Sequence, residues 1–258
     1  MNISELKNLT EELVVSFYIA GEKSLELRNK GLKTSFKQDS SPVTNGDLEV
    51  DRLLKEKINK ITPNIPLISE ETIAVEKKNY KNFWLVDPID GTKDYIKNKD
   101  EFTINAALIN NLEPIIGIIY APAKKKLFYS YSEGHAYAEF EKTKIKLDCK
   151  KKTKTGEVHA VSNSSNPSDQ IIKIHKNFNV KKFVNMRSSY KFCVIASGEF
   201  DLYAAMARAY EWDIAAGHAI VKHSGGLVTT LEKKDFKYGK EDYKNLDLLV
   251  RRSKNLEK

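Results

Sequence analysis

Cysteine is scarce in this sequence, and so are the features of a secreted or membrane-spanning chain. The 258 residues include only two cysteines, too few for the disulfide framework on which small secreted domains depend. The longest nearly apolar run, residues 114–123, is well short of the ~20 residues that a membrane-spanning helix requires. Glu5, Glu11 and Glu12 stand where a signal peptide would have basic and then apolar residues. We therefore expect a cytoplasmic protein, with peripheral contact at the inner face of the membrane left open.

Arginine is rare as well, because only six of the 43 basic residues are arginine. Proteins that read nucleic acids favour arginine, whose planar fork matches phosphates and guanine edges. Lysine is instead spread over the whole chain, and the net charge of +8 would help to attract small polyanions. We therefore expect no nucleic-acid partner. The content of 41% hydrophobic and 30% charged residues excludes a collagen-like or wholly disordered chain.

A chain of this length can form one large core or two lobes with a cleft between them. Apolar residues at three- and four-residue steps predict a helix near residues 3–30 and a second helix that ends before Pro63. Residues 101–140 predict an antiparallel meander, because β-rich segments alternate there with turn residues. We expect an N-terminal α+β lobe, residues 1–150, with the antiparallel sheet and most metal ligands. A C-terminal α/β lobe, residues 151–258, completes the site, and the two form one compact unit.

Acidic residues follow a short buried strand predicted at residues 82–86. Asp87 and Asp90 come directly after it, so that both carboxylates can converge on one hard cation. Gly91 permits close approach of the backbone to a ligand, and Thr92 is predicted to cap the next helix. Amide groups at that cap would face an anion, so a metal and a phosphate can meet at this turn. A turn that only caps a helix would explain the same residues.

Further acidic residues stand in similar places, each with a simpler explanation. Glu70 and Glu71 follow a strand predicted at residues 65–69, where they could be a solvated loop pair. Asp47 stands at the start of the second helix and Asp213 before a helix of small residues, and a helix cap would explain both. Together these carboxylates supply enough oxygen ligands for two or three Mg²⁺ ions.

Other metal and nucleotide motifs are absent from the sequence. The five histidines have no H-x-x-x-H or H-E-x-x-H spacing, which argues against a zinc hydrolase. The glycine-rich loops GxxxxGK[ST] and GxGxxG are missing too. We expect His218, within the small-residue helix, to be a packing residue, and Cys193 to belong to the core.

Four motifs, taken in order, resemble those of the inositol monophosphatase superfamily. WLVDPIDGTKDYI (residues 84–96) is similar to its first signature, and EWDIAAGHAIVKHSGG (residues 211–226) to its second. Residues 42–51 and 66–71 stand where the superfamily has its remaining acidic elements. The resemblance implies an α/β protein with α+β layers, the αβαβα sandwich of inositol monophosphatases and sugar phosphatases.

Within the superfamily, the chain looks most like the CysQ-type 3′(2′),5′-bisphosphate nucleotidases. SPVTNGD (41–47), DGTKDYIKNKDEFTINAALI (90–109) and RSSYKFCVIASGEFDLY (187–203) carry this likeness. The chain departs from it in one stretch, reading LYAAMARAY where such proteins often read LYPRFGPT before Trp-Asp. Ala205 takes the position of the usual arginine, and Arg208 lies three residues further on.

The resemblance also implies roles for individual residues. The implied Mg²⁺ ligands are the carboxylates of Glu70, Asp87, Asp90 and Asp213 and the backbone carbonyl of Ile89. By this resemblance, Asp47 and Thr92 form the pair that orients and deprotonates the attacking water. Glu70 is also implied to be a catalytic residue. The implied substrate contacts are Glu70, Ile89, Asp90, Gly91, Thr92, Ser188, Ser189, Lys191, Arg208 and Asp213.

Within that set, the amides of Gly91 and Thr92 would hold the phosphate. Ser188, Ser189 and Lys191 are candidates for the nucleotide end, although Lys191 could also be a solvated helix residue. Arg208 is our hypothesis for a contact with the second phosphate.

The implied activity is hydrolysis of the 3′-phosphate of adenosine 3′,5′-bisphosphate to AMP by a Mg²⁺-dependent, lithium-sensitive phosphatase, which disposes of a by-product of sulfate assimilation. An inositol or sugar monophosphate phosphatase is the alternative within this class. A non-catalytic member that binds RNA or protein is the alternative from another class. We expect a small phosphorylated nucleotide as the partner and a monomer or homodimer as the assembly.

Overall fold

The structure, a computed structural model, describes residues 1–72, 80–141, 143–150 and 156–256. These ranges form six α-helices and fourteen β-strands. The helices are α1 (Ile3–Lys30), α2 (Asn45–Ile61), α3 (Thr92–Ile96), α4 (Asp169–Asn177), α5 (Tyr190–Ala196) and α6 (Ala215–His223). The strands are β1 (Thr34–Phe36), β2 (Pro42–Thr44), β3 (Leu67–Ser69), β4 (Phe83–Asp90), β5 (Thr103–Asn110), β6 (Glu113–Ala121), β7 (Lys126–Ser132), β8 (His135–Phe140), β9 (Thr143–Lys146), β10 (Val158–Ser162), β11 (Val180–Asn185), β12 (Leu202–Ala205), β13 (Leu227–Thr229) and β14 (Leu248–Arg251).

The strands form a seven-stranded sheet, a five-stranded sheet and a separate ribbon of β1 and β2. In the larger sheet β3 to β9 follow one another in order; β3 and β4 are parallel, and every later pair is antiparallel. The predicted meander over residues 101–140 is therefore confirmed. The smaller sheet has the order β11-β10-β12-β14-β13, with β10 parallel to β11 and β12.

Helices cover both sheets and fill the space between them. α1 and α2 pack on one face of the larger sheet, where their apolar stripes bury a core with Trp84 and Val86. α5 and α6 lie between the two sheets, and α4 covers the outer face of the smaller one. This order of layers confirms the αβαβα sandwich. The division into lobes at residue 150 stays a prediction.

Close approach of α6 to the larger sheet depends on small residues. A side chain at Gly117 in β6 would collide with the backbone oxygen of Ala216 and would lie 2.8 Å from the Ala219 side chain. Without that side chain, α6 packs directly on the sheet. The chain segment just before α6, which contains Asp213, is thereby brought to the ends of the strands that carry the other carboxylates.

The Asp-Pro-Ile-Asp segment is not the turn after a strand that the sequence predicts. β4 continues through it to Asp90, and its pairing with β5 changes register between Asp87 and Asp90. A strand with an irregular register tolerates Pro88, which cannot donate to the ladder, because the regular hydrogen bonding is already interrupted there.

Among the described helices, none has both the length and the apolar content needed to span a bilayer. Cys149 and Cys193 are both buried and free, and Cys193 lies in the core between the sheets as expected.

Candidate metal and phosphate site

Three of the predicted carboxylates meet where neighbouring strands end. β3 ends at Ser69, directly before Glu70, and the parallel register places Ser69 opposite Val86, next to Asp87. Asp213 reaches the same place from the segment before α6. One ligand oxygen from each of Glu70, Asp87 and Asp213 lies within 4.8 Å of the others.

Asp87 is the most deeply buried of these carboxylates. Its side chain has no exposed surface, and no described residue donates a hydrogen bond to either oxygen. Burial raises the pKa of Asp87 well above its ordinary value, and the negative charges of Glu70, Asp90 and Asp213 raise it further. A buried carboxylate without donors is unfavourable unless a cation compensates it. All the metal ligands that this cluster offers are oxygen atoms, which suit a hard divalent cation such as Mg²⁺.

Asp213 is held by its own turn. Its Oδ2 accepts a 2.7 Å hydrogen bond from the backbone N–H of Tyr210. Burial, followed by the charges of Asp90 and Glu70, raises the pKa of Asp213 well above its ordinary value, and the Tyr210 bond opposes this shift. α6 begins two residues later, with Ile214 in the cap position. The helix-cap explanation is thus wrong for Asp213.

Asp90 is joined to the other side of the site through Ser189. The Ser189 hydroxyl lies 2.7 Å from Asp90 Oδ2 and 2.9 Å from the backbone oxygen of Asp213, and accepts a 3.0 Å hydrogen bond from Asn105 Nδ2. The sequence predicts this hydroxyl at the nucleotide end. The structure places it among the carboxylates, where it links the end of β4 to the turn before α6.

Asp47 lies at the start of α2, where it shares a capping box with Thr44. The Thr44 N–H donates a 2.8 Å hydrogen bond to Asp47 Oδ2. The other carboxylate oxygen, Oδ1, faces the Thr92 hydroxyl at 3.1 Å, and that hydroxyl is also 3.1 Å from the Ile89 carbonyl oxygen. Burial raises the pKa of Asp47 against the effect of its hydrogen bonds. Asp47 can therefore take part in the helix cap through Oδ2 and still offer Oδ1 for the predicted catalytic role.

Thr92 does not cap α3, contrary to the sequence prediction. It is the first residue of that helix, and Gly91 occupies the cap position with a left-handed backbone, φ 95°, and no side-chain cap. A Cβ at Gly91 would lie 2.9 Å from the Glu101 carbonyl oxygen. Only glycine fits both restrictions, and the Thr92 hydroxyl is left available for Asp47.

A cavity of about 690 Å³ opens over these carboxylates. Glu70, Asp90 and Asp213 form part of its wall. Four cationic side chains also line it: Lys93, Arg187, Lys191 and Arg208. The cavity therefore combines carboxylates that suit a cation with cationic groups that suit a phosphorylated ligand.

Lys191 is buried, so the explanation as a solvated helix residue is wrong. The residue is only 8% exposed. Its Nζ donates a hydrogen bond to the Ser188 carbonyl oxygen and lies 5.4 Å from the centre of the Tyr203 ring. Burial lowers the pKa of Lys191, although Asp90 opposes this shift. Arg208 is exposed at the rim of the same cavity, while Ala205 is buried in its wall.

Lys37, which the sequence analysis missed, contacts the carboxylate cluster. Its Nζ lies 2.8 Å from Glu70 Oε1 and 2.8 Å from Glu71 Oε1. Burial would lower the pKa of Lys37, but the two glutamates outweigh it and raise the pKa. Burial raises the pKa of Glu71 to about 7 despite Lys37. Nothing in the polar segment around Lys37 signals this contact, which depends on the β1–β2 ribbon.

A second cavity, of about 920 Å³, lies near the C-terminal end of α6 and contains no member of the carboxylate cluster. His218 lines it and is only 5% exposed. Burial lowers the pKa of His218 to about 3, and its Nδ1 lies 2.9 Å from the Tyr238 hydroxyl. The expectation that His218 packs is confirmed, and the larger volume of this cavity does not make it the phosphate site.

Buried carboxylates grouped beside a cation-lined cavity, in an αβαβα sandwich, are typical of metal-dependent phosphatases. The family model for the inositol monophosphatase family matches residues 5–258, and the chain belongs to this family.

Several curated relatives within the family are bisphosphate nucleotidases. The chain is 36% identical to the 3′(2′),5′-bisphosphate nucleotidase CysQ of Buchnera aphidicola over 218 residues, 82% of this chain and 80% of that protein. It is 32% identical to CysQ of Escherichia coli strain K12 over 213 residues, 78% of this chain and 81% of that protein.

Solved structures agree with the fold. The crystal structure of CysQ from Bacteroides thetaiotaomicron has a TM-score of 0.78 at 31% identity, covering 97% of this chain and 98% of that one. An IMPase/NADP phosphatase complexed with Mg²⁺ and phosphate has a TM-score of 0.79 at 19% identity, covering 96% of this chain and 92% of that one. The second likeness concerns the fold alone.

Proposed function

We propose that this protein is a Mg²⁺-dependent phosphomonoesterase that removes the 3′-phosphate of adenosine 3′,5′-bisphosphate, giving AMP and inorganic phosphate. The observation that carries the proposal is Asp87, a buried carboxylate without donors that lies against Glu70 and Asp213 beside a cation-lined cavity. The likeness to named 3′(2′),5′-bisphosphate nucleotidases supports the choice of substrate.

The cation site would use oxygen ligands only. Its members in this proposal are the carboxylates of Glu70, Asp87, Asp90 and Asp213 and the carbonyl of Ile89, and they hold two or three Mg²⁺ ions. When bound, Mg²⁺ supplies positive charge that stabilises the attacking and leaving oxygens of an in-line displacement. Ser189 keeps Asp90 beside the Asp213 turn through the contacts described above.

Asp47 and Thr92 are the proton-transfer pair of the proposed reaction. The Thr92 hydroxyl lines the cavity and lies 3.1 Å from Asp47 Oδ1, so it can accept a proton from a water molecule and pass one to the carboxylate. The raised pKa of Asp47 makes it a better proton acceptor than an exposed aspartate. Because phosphoryl transfer needs little covalent chemistry, positioning and charge supply most of the catalysis.

The substrate would span the cavity from the carboxylates to the cationic wall. The amides of Gly91 and Thr92 hold the 3′-phosphate in this proposal, and Lys191 with Ser188 meets the nucleotide end. Arg208 at the rim would pair with the 5′-phosphate, in place of the arginine that Ala205 replaces. Charged donors of this kind are strong phosphate ligands because the partner is ionised.

In the cell the proposed reaction would clear a by-product of sulfate assimilation in the cytoplasm. Inhibition by lithium is part of the same proposal. We propose a monomer or a homodimer as the assembly, since one chain supplies every residue named for the reaction.

Release of inorganic phosphate tests the proposal. Adenosine 3′,5′-bisphosphate and inositol 1-phosphate are assayed separately, each with Mg²⁺ and with EDTA. We expect kcat/KM for the nucleotide to be higher by orders of magnitude, and EDTA to abolish turnover. Faster turnover of inositol 1-phosphate would show that the sugar phosphatase alternative is right. Absence of turnover on both substrates, with salt-dependent RNA binding that persists in EDTA, would favour the non-catalytic alternative.

A further inference from the structure

A fully buried glutamate lies two residues before Asp213. Glu211 has no exposed surface, and its carboxylate accepts hydrogen bonds from Gly239 N–H at 2.7 Å and from Lys240 N–H at 3.0 Å. The Lys240 side chain adds an ion pair, with Nζ 2.9 Å from Glu211 Oε1. A buried charge with one partner removed is strongly unfavourable, so this pair fixes the 239–240 segment against the segment before α6.

The ammonium of Lys240 has a defined acceptor for each of its three N–H groups. Besides Glu211, these are the Lys237 carbonyl oxygen at 2.5 Å and the Asn245 Oδ1 at 3.2 Å. The rings of Phe236 and Tyr238 lie 5.2 Å and 5.4 Å from the same Nζ. The lysine is thereby held in one orientation.

Backbone contacts tie the rest of the segment to the same region. Glu211 N–H donates to the Tyr243 carbonyl oxygen at 2.7 Å, and Asn245 N–H donates to the Ala209 carbonyl oxygen at 2.8 Å. Asn245 Nδ2 donates to the Tyr210 carbonyl oxygen at 2.6 Å. Tyr210 is therefore fixed through its own carbonyl and through both neighbours. Its N–H is the group that holds Asp213 Oδ2.

We infer that Glu211 and Lys240 are positioning residues for Asp213, which set the orientation in which its carboxylate binds a cation. The inference rests on the proposed function, since it assumes a cation at the carboxylate cluster. Neither residue lines the cavity, so neither is a catalytic residue. They act through Tyr210, whose N–H occupies one carboxylate oxygen of Asp213. Hydrogen-bond partners behind metal ligands commonly change metal affinity by about 10- to 100-fold.

The test is calorimetric titration of the full chain with Mg²⁺. Lys240→Met keeps most of the side chain's apolar length and removes the charge, and we expect Mg²⁺ affinity to fall by about 10-fold or more. Lys237→Met is the matched control on the same segment, because the Lys237 side chain forms an exposed ion pair with Glu113 and the substitution keeps the backbone carbonyl that Lys240 contacts. Its Mg²⁺ affinity should stay within about twofold of wild type. At saturating Mg²⁺, kcat of Lys240→Met should return to near the wild-type value.

A second control separates positioning from general loss of stability. Arg252→Met removes a largely buried ion pair with Asp201, which directly precedes β12, and neither residue lines the cavity over the carboxylates. It should lower the thermal midpoint without weakening Mg²⁺ binding. If Lys240→Met fails to fold, Asn245→Ala takes its place, since it removes the donor to Tyr210 and one acceptor of Lys240.

The outcomes distinguish this inference from the proposed function. If the wild type binds Mg²⁺ but Lys240→Met or, in its absence, Asn245→Ala binds it equally well, the positioning role is overturned and the proposed function stands. If the wild type neither binds Mg²⁺ nor releases phosphate, both fail. Weaker binding in Lys240→Met with unchanged binding in both controls supports the inference.

Discussion

The hydroxyl of Thr92 lies 3.1 Å from Asp47 Oδ1 and joins two residues that are 45 positions apart in the sequence. The contact connects the first residue of α3 to the first turn of α2. Because Asp47 Oδ2 is already occupied by Thr44, Oδ1 is the oxygen that remains for proton transfer. In this geometry, a proton can move from the Thr92 hydroxyl to Asp47 Oδ1.

Replacement of Asp47 by asparagine should remove the proton acceptor while preserving the shape of the side chain. Loss of a positioned general base typically lowers the rate by about 10²- to 10⁴-fold, so we expect kcat to fall within that range. Phosphate release at saturating Mg²⁺ and nucleotide measures it. Thr92→Ser is the control, because it keeps the hydroxyl and should retain most activity. A kcat for Asp47→Asn close to that of wild type would exclude Asp47 as the base.

Asp87→Asn should make the protein more stable without Mg²⁺ and insensitive to Mg²⁺. The substitution removes a buried charge that has no donors and that lies against Glu70 and Asp213, a gain of roughly 1–3 kcal/mol in EDTA. Mg²⁺ at a hundred times its dissociation constant should stabilise the wild type by about 2.7 kcal/mol and leave the variant unchanged. Thermal unfolding in EDTA and in Mg²⁺ measures both effects. A variant less stable than wild type in EDTA would contradict the prediction.

Arg208→Ala should raise KM only for substrates that carry the 5′-phosphate. Loss of one hydrogen bond to a charged group corresponds to about 10- to 100-fold in affinity. We expect such an increase in KM for adenosine 3′,5′-bisphosphate and little change for adenosine 3′-monophosphate, which lacks the second phosphate. Steady-state kinetics on both substrates gives the comparison. Equal KM values for wild type and variant on the bisphosphate would remove Arg208 from the site.

Two buried histidines should make stability fall as the pH is lowered. Burial lowers the pKa of His218 to about 3 and that of His223 to about 4, so both stay neutral in the folded protein while the unfolded chain takes up protons below about pH 6.5. The unfolded state then binds more protons, and stability decreases as pH falls. Each histidine should cost about 2 kcal/mol between pH 7 and pH 5.

The contribution of His218 can be isolated by comparing His218→Asn with wild type in urea unfolding at both pH values. Glu71, Asp87 and Asp213 have raised pKa values and act in the opposite direction, but they are common to both proteins and cancel in the difference. The variant should lose less stability than wild type between pH 7 and pH 5. Equal losses in the two proteins would show that His218 is protonated in the folded state.

The elements with long, regular patterns were predictable from the sequence. The helix predicted near residues 3–30 is α1, and the β-rich segments of residues 101–140 are β5 to β8. These elements bury repeating apolar positions, so the pattern reports directly on their packing. Several of the short strands gave no such signal. β1, β2, β9 and β12 have three or four residues each, and their pairing is decided by distant parts of the chain.

The carboxylates of the site were predictable because they belong to motifs, whereas their local geometry was not. Asp87 and Asp90 lie on an irregular strand and not in a turn, since the register of β5 opposite them decides the backbone path. Ser189 lies among the carboxylates, and Lys37 contacts Glu70, because of tertiary packing that no local pattern records. The sequence alone therefore does not predict the long-range contacts that single polar residues make in a site.

The anchoring of the Asp213 turn by residues 239–245 also has a consequence for biosynthesis. A ribosome delivers Glu70, Asp87 and Asp90 first, and at ~5–20 residues per second the anchoring segment follows roughly 7–30 s later. Until then the nascent chain contains these three carboxylates but lacks the segment that anchors the Asp213 turn beside them. Vectorial synthesis therefore delays assembly of the cation site until both sheets can form, and a chain interrupted before that segment remains without an anchored Asp213.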